Sequence, residues 1–471
     1  MKTIKYSFVL IFIVTRFIGY AQERITLQLC REMALQNNDN LRIAGKQLER
    51  AEAEKAAVKT MRFPDFSASA TGIYQEKDFE IEMTLPTQKL NPLTGELEPN
   101  IMTDPATGNA IMGPDGNPLF NMYAWLPLNI SLTGAYLAGI ALEQPVYTGG
   151  KINAGCKMAD IGVRMAGDNL ELQRMKTIEE ADKTYWTYIS ICQKVRLAEQ
   201  VLEMLSELVE KARNSYQLDM AAKKDLLKAK VEYNNARINL QKAQNGLELI
   251  RMDLCRITGL PFDTRIKAVD TLITVTPPAD METAGQYVTL RPEYRLMQKS
   301  IDMREQAINE TRADFLPVAG IQTGYSRVGG IEFSGTDFSN SSLNVLASLK
   351  IPLFHWGEGK KKINAAKIEK EIRELEMEKN RELLEMETEQ ARLNLKLAWE
   401  RVKIYETALK EAEENLRVSR DNYEVGMETI SDFLIAQTHW QKANTELIDS
   451  KADFKIKETV WMKVTGKLGL E

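Results

Sequence analysis

Apolar residues follow a heptad pattern along four stretches of the chain. In residues 191–216 they alternate at four- and three-residue spacings, at Ile191, Val195, Ala198, Leu202, Leu205, Val209, Ala212 and Tyr216. The same spacing returns in residues 226–254, 398–423 and 433–461. A repeat of about 3.5 residues keeps one face of a helix turned toward a partner helix. We therefore predict coiled-coil helices over 26–62, 151–216, 225–256, 286–315, 360–423 and 432–463.

The chain is a tandem duplication with an offset of 207 residues, since Tyr216 and Asp225 recur as Tyr423 and Asp432. Each half has the order helix, strand, strand, long helix, helix, and ends in a Thr-Gly pair. Matching landmarks in the same order indicate duplication rather than chance. The long helix of each half, about 100 Å at 1.5 Å per residue, equals two short helices stacked end to end. This arrangement predicts a rod rather than a compact enzyme core.

Alternating apolar and polar residues lie between the helices, at 66–75 and 128–142 in the first half. The corresponding segments of the second half, 318–327 and 342–351, alternate less cleanly. Strands of about ten residues with one apolar face are typical of transmembrane β-barrels, although a soluble sheet packed on a core has the same period. Four strands cannot close a membrane barrel, which needs at least about eight. The protein is therefore predicted to oligomerise, with two or more copies.

Aromatic residues follow the predicted strand ends, where a membrane interface would accommodate their amphipathic rings. The candidates for this interface are Tyr147, Phe354 and Trp356. The first strand connection, residues 76–127, is long and rich in proline and turn dipeptides. We predict a long extracellular loop here, which either packs on a neighbouring copy or surface partner or is a mobile surface loop.

The N-terminus has the features of a secretory signal peptide. Lys2 and Lys5 precede an apolar run at 8–14, and Gly19 and Ala21 supply small residues before cleavage after about Ala21. An N-terminal anchor is the alternative, and no cysteine follows that would make a lipoprotein. The predicted organisation is a signal peptide over 1–21, a first repeat over 22–259, a linker or equatorial region over 260–285, a second repeat over 286–466 and a short tail over 467–471.

Composition narrows the function classes. The 471 residues carry a formal net charge of −5 and only two histidines, which argues against a nucleic-acid binder and a histidine-based metal enzyme. The four cysteines form no CxxC pair. We expect buried free thiols, and the sequence leaves a Cys30–Cys255 bridge open. With no nucleophile elbow, P-loop or clustered metal ligands, we expect no enzyme activity, cofactor or metal site.

The order of these motifs resembles the TolC-type outer-membrane efflux family over residues 23–467. Its carriers are the segment at 352–357 and the pattern at Tyr423, Gly426 and Asp432, in a duplicated frame. The resemblance implies a mostly α fold with membrane β-barrel strands: a homotrimer with a twelve-stranded barrel and a coiled-coil periplasmic tunnel. It implies an outer-membrane export channel that contacts lipid, extends into the periplasm and docks to a periplasmic adaptor and an inner-membrane RND or ABC-type pump.

The same resemblance assigns roles to the helix turns near 217–224 and 424–431. The implied adaptor-docking candidates are Tyr216, Asp219, Met220, Tyr423, Gly426 and Met427. Asp225 and Asp432 are candidates for a pore constriction, with helix N-caps or first-turn acids as the structural alternative. Ile435 stands where some members carry a second acidic residue.

We expect Gly426 to need an unusual φ, and because Asp219 replaces glycine in the first repeat, a differently shaped first turn. A structural coiled-coil surface protein or adhesin is the alternative function. Within the channel hypothesis, type I protein secretion is the alternative to small-molecule efflux.

Overall fold

A computed structural model describes residues 23–77, 79–86, 88–121, 123–131, 134–278, 287–333 and 336–468. The predicted signal peptide over 1–21 lies outside these residues, as do the end of the predicted linker and the last three residues of the tail. The described helices are α1 Leu27–Asn37, α2 Asp39–Thr60, α3 Lys151–Gln217, α4 Lys223–Thr258, α5 Pro292–Ala313, α6 Glu358–Glu424 and α7 Ile430–Val464. The strands are β1 Glu23–Ile25, β2 Asp65–Ile73, β3 Phe79–Pro86, β4 Gln88–Leu90, β5 Leu97–Pro99, β6 Tyr123–Ser131, β7 Ala135–Thr148, β8 Ile266–Ala268, β9 Val318–Phe333 and β10 Thr336–Lys350.

The long helices begin and end within two residues of the predicted bounds, but the prediction of one helix over 26–62 is wrong. The helix breaks at Asn38, whose backbone is extended. The Asn38 side chain accepts a hydrogen bond from the Leu41 amide at 3.0 Å. An asparagine in this role caps a new helix rather than continuing the old one. Helix α5 also begins later than predicted, at Pro292, because proline favours the first position of a helix.

The chain divides into two compact units that do not follow the repeat boundaries. The first comprises the described parts of 1–55, 157–305 and 366–471, and is built of helices with one short parallel ladder. The second comprises 56–156 and 306–365 and holds the larger sheet. Both repeats contribute residues to each unit.

The heptad positions form the core of the first unit. Leu205 and Ala212 of α3 pack with Leu226 of α4 and with Leu416 and Phe433 from the second repeat, all of them buried. Four helices from two repeats thus share one seam. The spacing of the apolar residues predicted this seam correctly.

A second core of the first unit surrounds Tyr185, which is fully buried. Strand β1 pairs in parallel with β8, within the predicted linker. The Tyr185 hydroxyl donates to Asp270 at 2.5 Å, and the Tyr188 hydroxyl donates to the Ile266 carbonyl at 2.8 Å. The described part of the linker is therefore fastened to α3. Cys30 and Cys255 lie in this core as free thiols, and the free thiol of Cys192 packs against it. Cys156 is also free, in the second unit, and the Cys30–Cys255 bridge that the sequence left open is not formed.

The second unit contains a sheet in which β2, β7, β9 and β10 are adjacent and antiparallel. The predicted single strand over 128–142 is wrong. Strand β6 ends at Ser131 and β7 begins at Ala135, with Gly134 at φ +80° between them. Only glycine adopts such a backbone without steric cost, so the regular strand is interrupted at this point.

The segment predicted as the loop 76–127 carries β-structure of its own. Strands β3 and β6 form an antiparallel pair, and β6 joins the end of β9. Strands β4 and β5, which lie between β3 and β6 in the chain, pair with each other, and isolated β-bridges follow over 101–120. Asn91, Asp104 and Asp115 each accept a hydrogen bond from the amide two residues on, which is the Asx-turn geometry. The turn dipeptides of this segment therefore lie in ordered turns and not in a structureless loop.

Candidate functional site

In the first unit, the turn that follows α3 and the turn that follows α6 have the same backbone conformation. Asp219 at φ +55° and Gly426 at φ +77° occupy equivalent left-handed positions. The Met220 amide donates to the Ser215 carbonyl at 2.8 Å, and Met427 repeats this bond to Asn422 at 2.8 Å. Together with the bonds of residues 219 and 426 to the carbonyls three positions before, this is the Schellman ending of a helix. The prediction that the first turn differs in shape is therefore wrong, because aspartate tolerates the left-handed region.

Side chains hold the second turn in two ways. Thr429 and Asp432 form a capping box at the start of α7, in which each side chain bonds the other residue's backbone amide. The Glu428 carboxylate accepts a hydrogen bond from the Ser419 hydroxyl and another from the side-chain amide of Asn422, the latter at 3.1 Å. The carboxylate thereby ties the residues after the turn to the helix before it.

The first turn has none of these side-chain bonds. The residue before α4 is Ala222, which makes no side-chain cap. Ala221 stands where the second repeat has Glu428. Within residues 214–225, all of them described, the turn is held by backbone hydrogen bonds alone.

The two constriction candidates have different surroundings. Asp432 is exposed, and hydrogen bonds from the Thr429 hydroxyl and amide lower the pKa of its carboxyl group. Asp225 is half-buried in the first turn of α4. Burial and then the charge of Asp225 raise the pKa of the Tyr423 hydroxyl. Both acids lie in the first turn of their helices, which was the structural alternative to a pore constriction.

The first hairpin, formed by α3 and α4, and the second hairpin, formed by α6 and α7, contact each other near their turns. Within the second hairpin, Tyr423 of α6 stacks on Phe433 of α7 with ring centroids 5.7 Å apart. The polar contacts are Lys211–Glu424 at 2.6 Å, Arg420–Glu207 at 3.2 Å and Lys228–Ser431 at 2.7 Å. The turns themselves leave apolar side chains in solvent, since Met220 and Met427 are each 79% exposed. Tyr216 is also exposed and Tyr423 is half-buried.

In the second unit the strand register places apolar and polar residues on opposite faces of the sheet. Ala68, Ile140, Tyr325 and Leu343 stand side by side across β2, β7, β9 and β10. The next row consists of Ser69, Gly139, Ser326 and Ser342. Neighbouring rows point to opposite faces. Leu343 is 73% exposed, so the apolar face has no cover within the described part of the chain.

The predicted interface aromatics also belong to the second unit. Tyr147 lies at the end of β7, where the register with β9 shifts. Phe354 and Trp356 follow β10 and contact each other edge to face, with centroids 4.9 Å apart. All three are exposed, and Trp356 holds a left-handed backbone at φ +49°.

No group of three or more metal-ligating side chains occurs in the part of the chain that the structure describes. None of the described helices has an apolar stretch of the length and hydropathy needed to span a bilayer.

Paired coiled-coil helices of two repeats and a sheet with one apolar and one polar face agree with the fold that the resemblance to outer-membrane efflux channels implied. Residues 286–467 match the outer membrane efflux protein family. This match and the similar structures confirm the resemblance to the TolC-type outer-membrane efflux family that was drawn from the sequence. Proteins of this family are channels, not enzymes.

Individual relatives agree with this assignment. The chain is 21% identical over 340 residues to the alkaline protease secretion protein AprF of Pseudomonas aeruginosa, covering 70% of this chain and 69% of that protein. It is similar in fold to the CmeC outer membrane channel of Campylobacter jejuni, with a TM-score of 0.69, 16% identity and coverage of 94% and 85%. The open-state MtrE outer membrane channel of Neisseria gonorrhoeae gives a TM-score of 0.67, 16% identity and coverage of 93% and 88%.

Proposed function

We propose that this protein is the outer-membrane channel of a tripartite export system and works as a homotrimer. The two-faced sheet is the observation that carries the proposal. In the described residues the outer edges of β2 and β10 have no partner, and these two strands run antiparallel. Strand β10 of one copy can therefore pair with β2 of the next in the same antiparallel sense. Three copies of four strands close a twelve-stranded barrel, with the apolar face toward lipid.

The helix turns are the proposed docking end for a periplasmic adaptor. Met220 and Met427 expose flexible apolar side chains at equivalent places in both repeats. Flexible methionine side chains are well suited to adaptable contact surfaces. An inner-membrane pump of the RND or ABC type would supply the energy, because the channel has no chemistry of its own.

Asp432 and Asp225 are the proposed acidic residues of the entrance. The exposed carboxylate of Asp432 is ionised at neutral pH, since its pKa is lowered. Three copies around an axis would form a ring of negative charge, which favours cations over anions in a pore.

The test is reconstitution of the full-length protein in planar bilayers, with the oligomer measured by native mass spectrometry. We expect trimers that conduct ions, and a higher conductance for Asp432→Ala. A monomeric protein that does not conduct would refute the proposal.

Protein secretion is the second candidate, because the chain is similar over 340 residues to a protein named for alkaline protease secretion. Co-purification after mild cross-linking of cells separates the two candidates. An ABC-type pump that co-purifies with an exported protein supports secretion, whereas an RND pump supports small-molecule efflux.

A further inference from the structure

The two turns share a backbone but differ in what holds them. The second turn has three devices: glycine at its left-handed position, the capping box at Thr429, and the Glu428 clamp on Ser419 and Asn422. At the equivalent places the first turn has Asp219, Ala222 and Ala221. Backbone hydrogen bonds that lack side-chain support at an exposed turn open more readily than supported ones.

The clamp depends on residues that only the second repeat has. Ser419 is almost completely buried, so its hydroxyl offers Glu428 a partner screened from water. Its counterpart in the first repeat is Ala212, also buried, which has no hydroxyl. Ser215 stands in place of Asn422. Each element of the clamp is thus absent from the first turn.

We infer that the first turn, residues 217–222, is the more flexible part of the proposed docking end. Glu428 is the positioning residue that makes the second turn the more rigid part. The assignment of the turns to docking rests on the proposed function, whereas their unequal rigidity does not. A rigid second turn keeps Asp432 in a fixed place, because the capping box and the clamp share consecutive residues. Adjustment to a partner then occurs in the first turn.

Hydrogen–deuterium exchange of the full-length protein in detergent, read by mass spectrometry, tests this inference. We expect amides of 217–222 to exchange about tenfold faster than those of 424–429. Glu428→Ala should raise exchange in the second turn toward the level of the first. Glu428→Gln is the matched control, since its amide oxygen can accept from the Asn422 side chain while its amide N–H donates to the Ser419 hydroxyl oxygen, and it should keep most of the protection.

The reverse experiment transfers the clamp. The triple variant Ala212→Ser, Ser215→Asn, Ala221→Glu should slow exchange in the first turn several-fold and leave the second unchanged. Equal exchange of the two turns in the wild type, or an unchanged second turn in Glu428→Ala, would overturn the inference. A protein that shows the exchange difference without conducting ions would contradict the proposed function and leave this inference standing.

Discussion

Asp432 combines a charge with a structural task, and the two can be separated by substitution. Asp432→Asn keeps an oxygen that accepts from Thr429 but removes the charge, whereas Thr429→Ala keeps the charge and loses the cap. If the carboxylate lines the entrance, we expect the cation preference of the channel to fall in Asp432→Asn only. Reversal potentials in a salt gradient measure this preference. The same selectivity in both variants and the wild type would contradict a role in the pore.

The pH dependence of the capping box has a definite sign. Hydrogen bonds from Thr429 lower the pKa of Asp432 in the folded protein, so the carboxylate stabilises the fold above its unfolded pKa of about 3.9. That contribution is lost as the pH falls through the folded value. We expect the difference in thermal unfolding between wild type and Asp432→Asn to be largest near neutral pH and to close in acid. A difference that stays constant down to pH of about 2.5 would be inconsistent with this linkage.

The left-handed turn positions give a second residue-scale prediction. Gly426→Ala places a Cβ at φ +77° and should cost about 1 kcal/mol of unfolding free energy. Asp219→Gly relieves the same strain but adds freedom to the unfolded chain, so we expect its effect to be smaller than about 1 kcal/mol. Urea unfolding of both variants measures these changes. A larger loss in Asp219→Gly than in Gly426→Ala would show that the two turns are not equivalent.

What the sequence could predict at this scale was chemistry rather than backbone shape. Gly426 correctly indicated a left-handed residue. Asp219 did not, because aspartate occupies several backbone regions and only the neighbouring helix end selects one of them. Glu428 gave no signal, since its partners lie nine and six residues away and become neighbours only after the helix turns.

Among the elements, a buried ion pair connects three helices of the first unit. Arg31 of α1 binds Asp182 of α3 through two bonds of 2.7 Å, and Thr459 of α7 donates to the same carboxylate at 2.7 Å. Asp182 is fully buried. Asp182→Ala removes the buried carboxylate that Arg31 and Thr459 bind, and we expect a loss of about 3–5 kcal/mol.

Thermal or urea unfolding measures that loss, and Asp39→Ala is the control. Asp39 pairs with Arg42 on the surface of α2, where both side chains are largely exposed. Exposed pairs contribute little. A similar effect of the two substitutions would contradict the importance of the buried pair.

The long helices could be predicted because every turn of a coiled coil repeats the same signal. Breaks in an element depend on single residues, and these were missed. Asn38 ends α1 inside an otherwise helical pattern, and Gly134 divides one alternating run into β6 and β7. The alternation in β10 looked irregular in isolation. Its register with β9 places Leu343, Val345 and Leu349 on one face with Tyr325.

For the whole molecule, the two faces of the sheet predict how charge is tolerated. Val345 lies on the apolar face of β10 and Asn344 on the opposite one. Arginine on the lipid face of a membrane strand costs about 2–4 kcal/mol near the bilayer centre. We therefore expect Val345→Arg to reduce the yield of membrane-inserted trimers, with Asn344→Arg as the matched control that assembles normally. Heat-modifiable bands on gels report assembly, and equal yields would contradict lipid contact at this face.

The pairing of β1 with β8 has a consequence for how the chain acquires its structure. Glu23 meets Ile266 across more than two hundred intervening residues, and the surrounding core also takes in Ala452 from the second repeat. Contacts so distant in sequence form late, because a large loop must close first. The Tyr185 core therefore stays incomplete until nearly the whole chain is present. Because the cores contain residues of both repeats, the two copies of the duplicated half depend on each other for their cores.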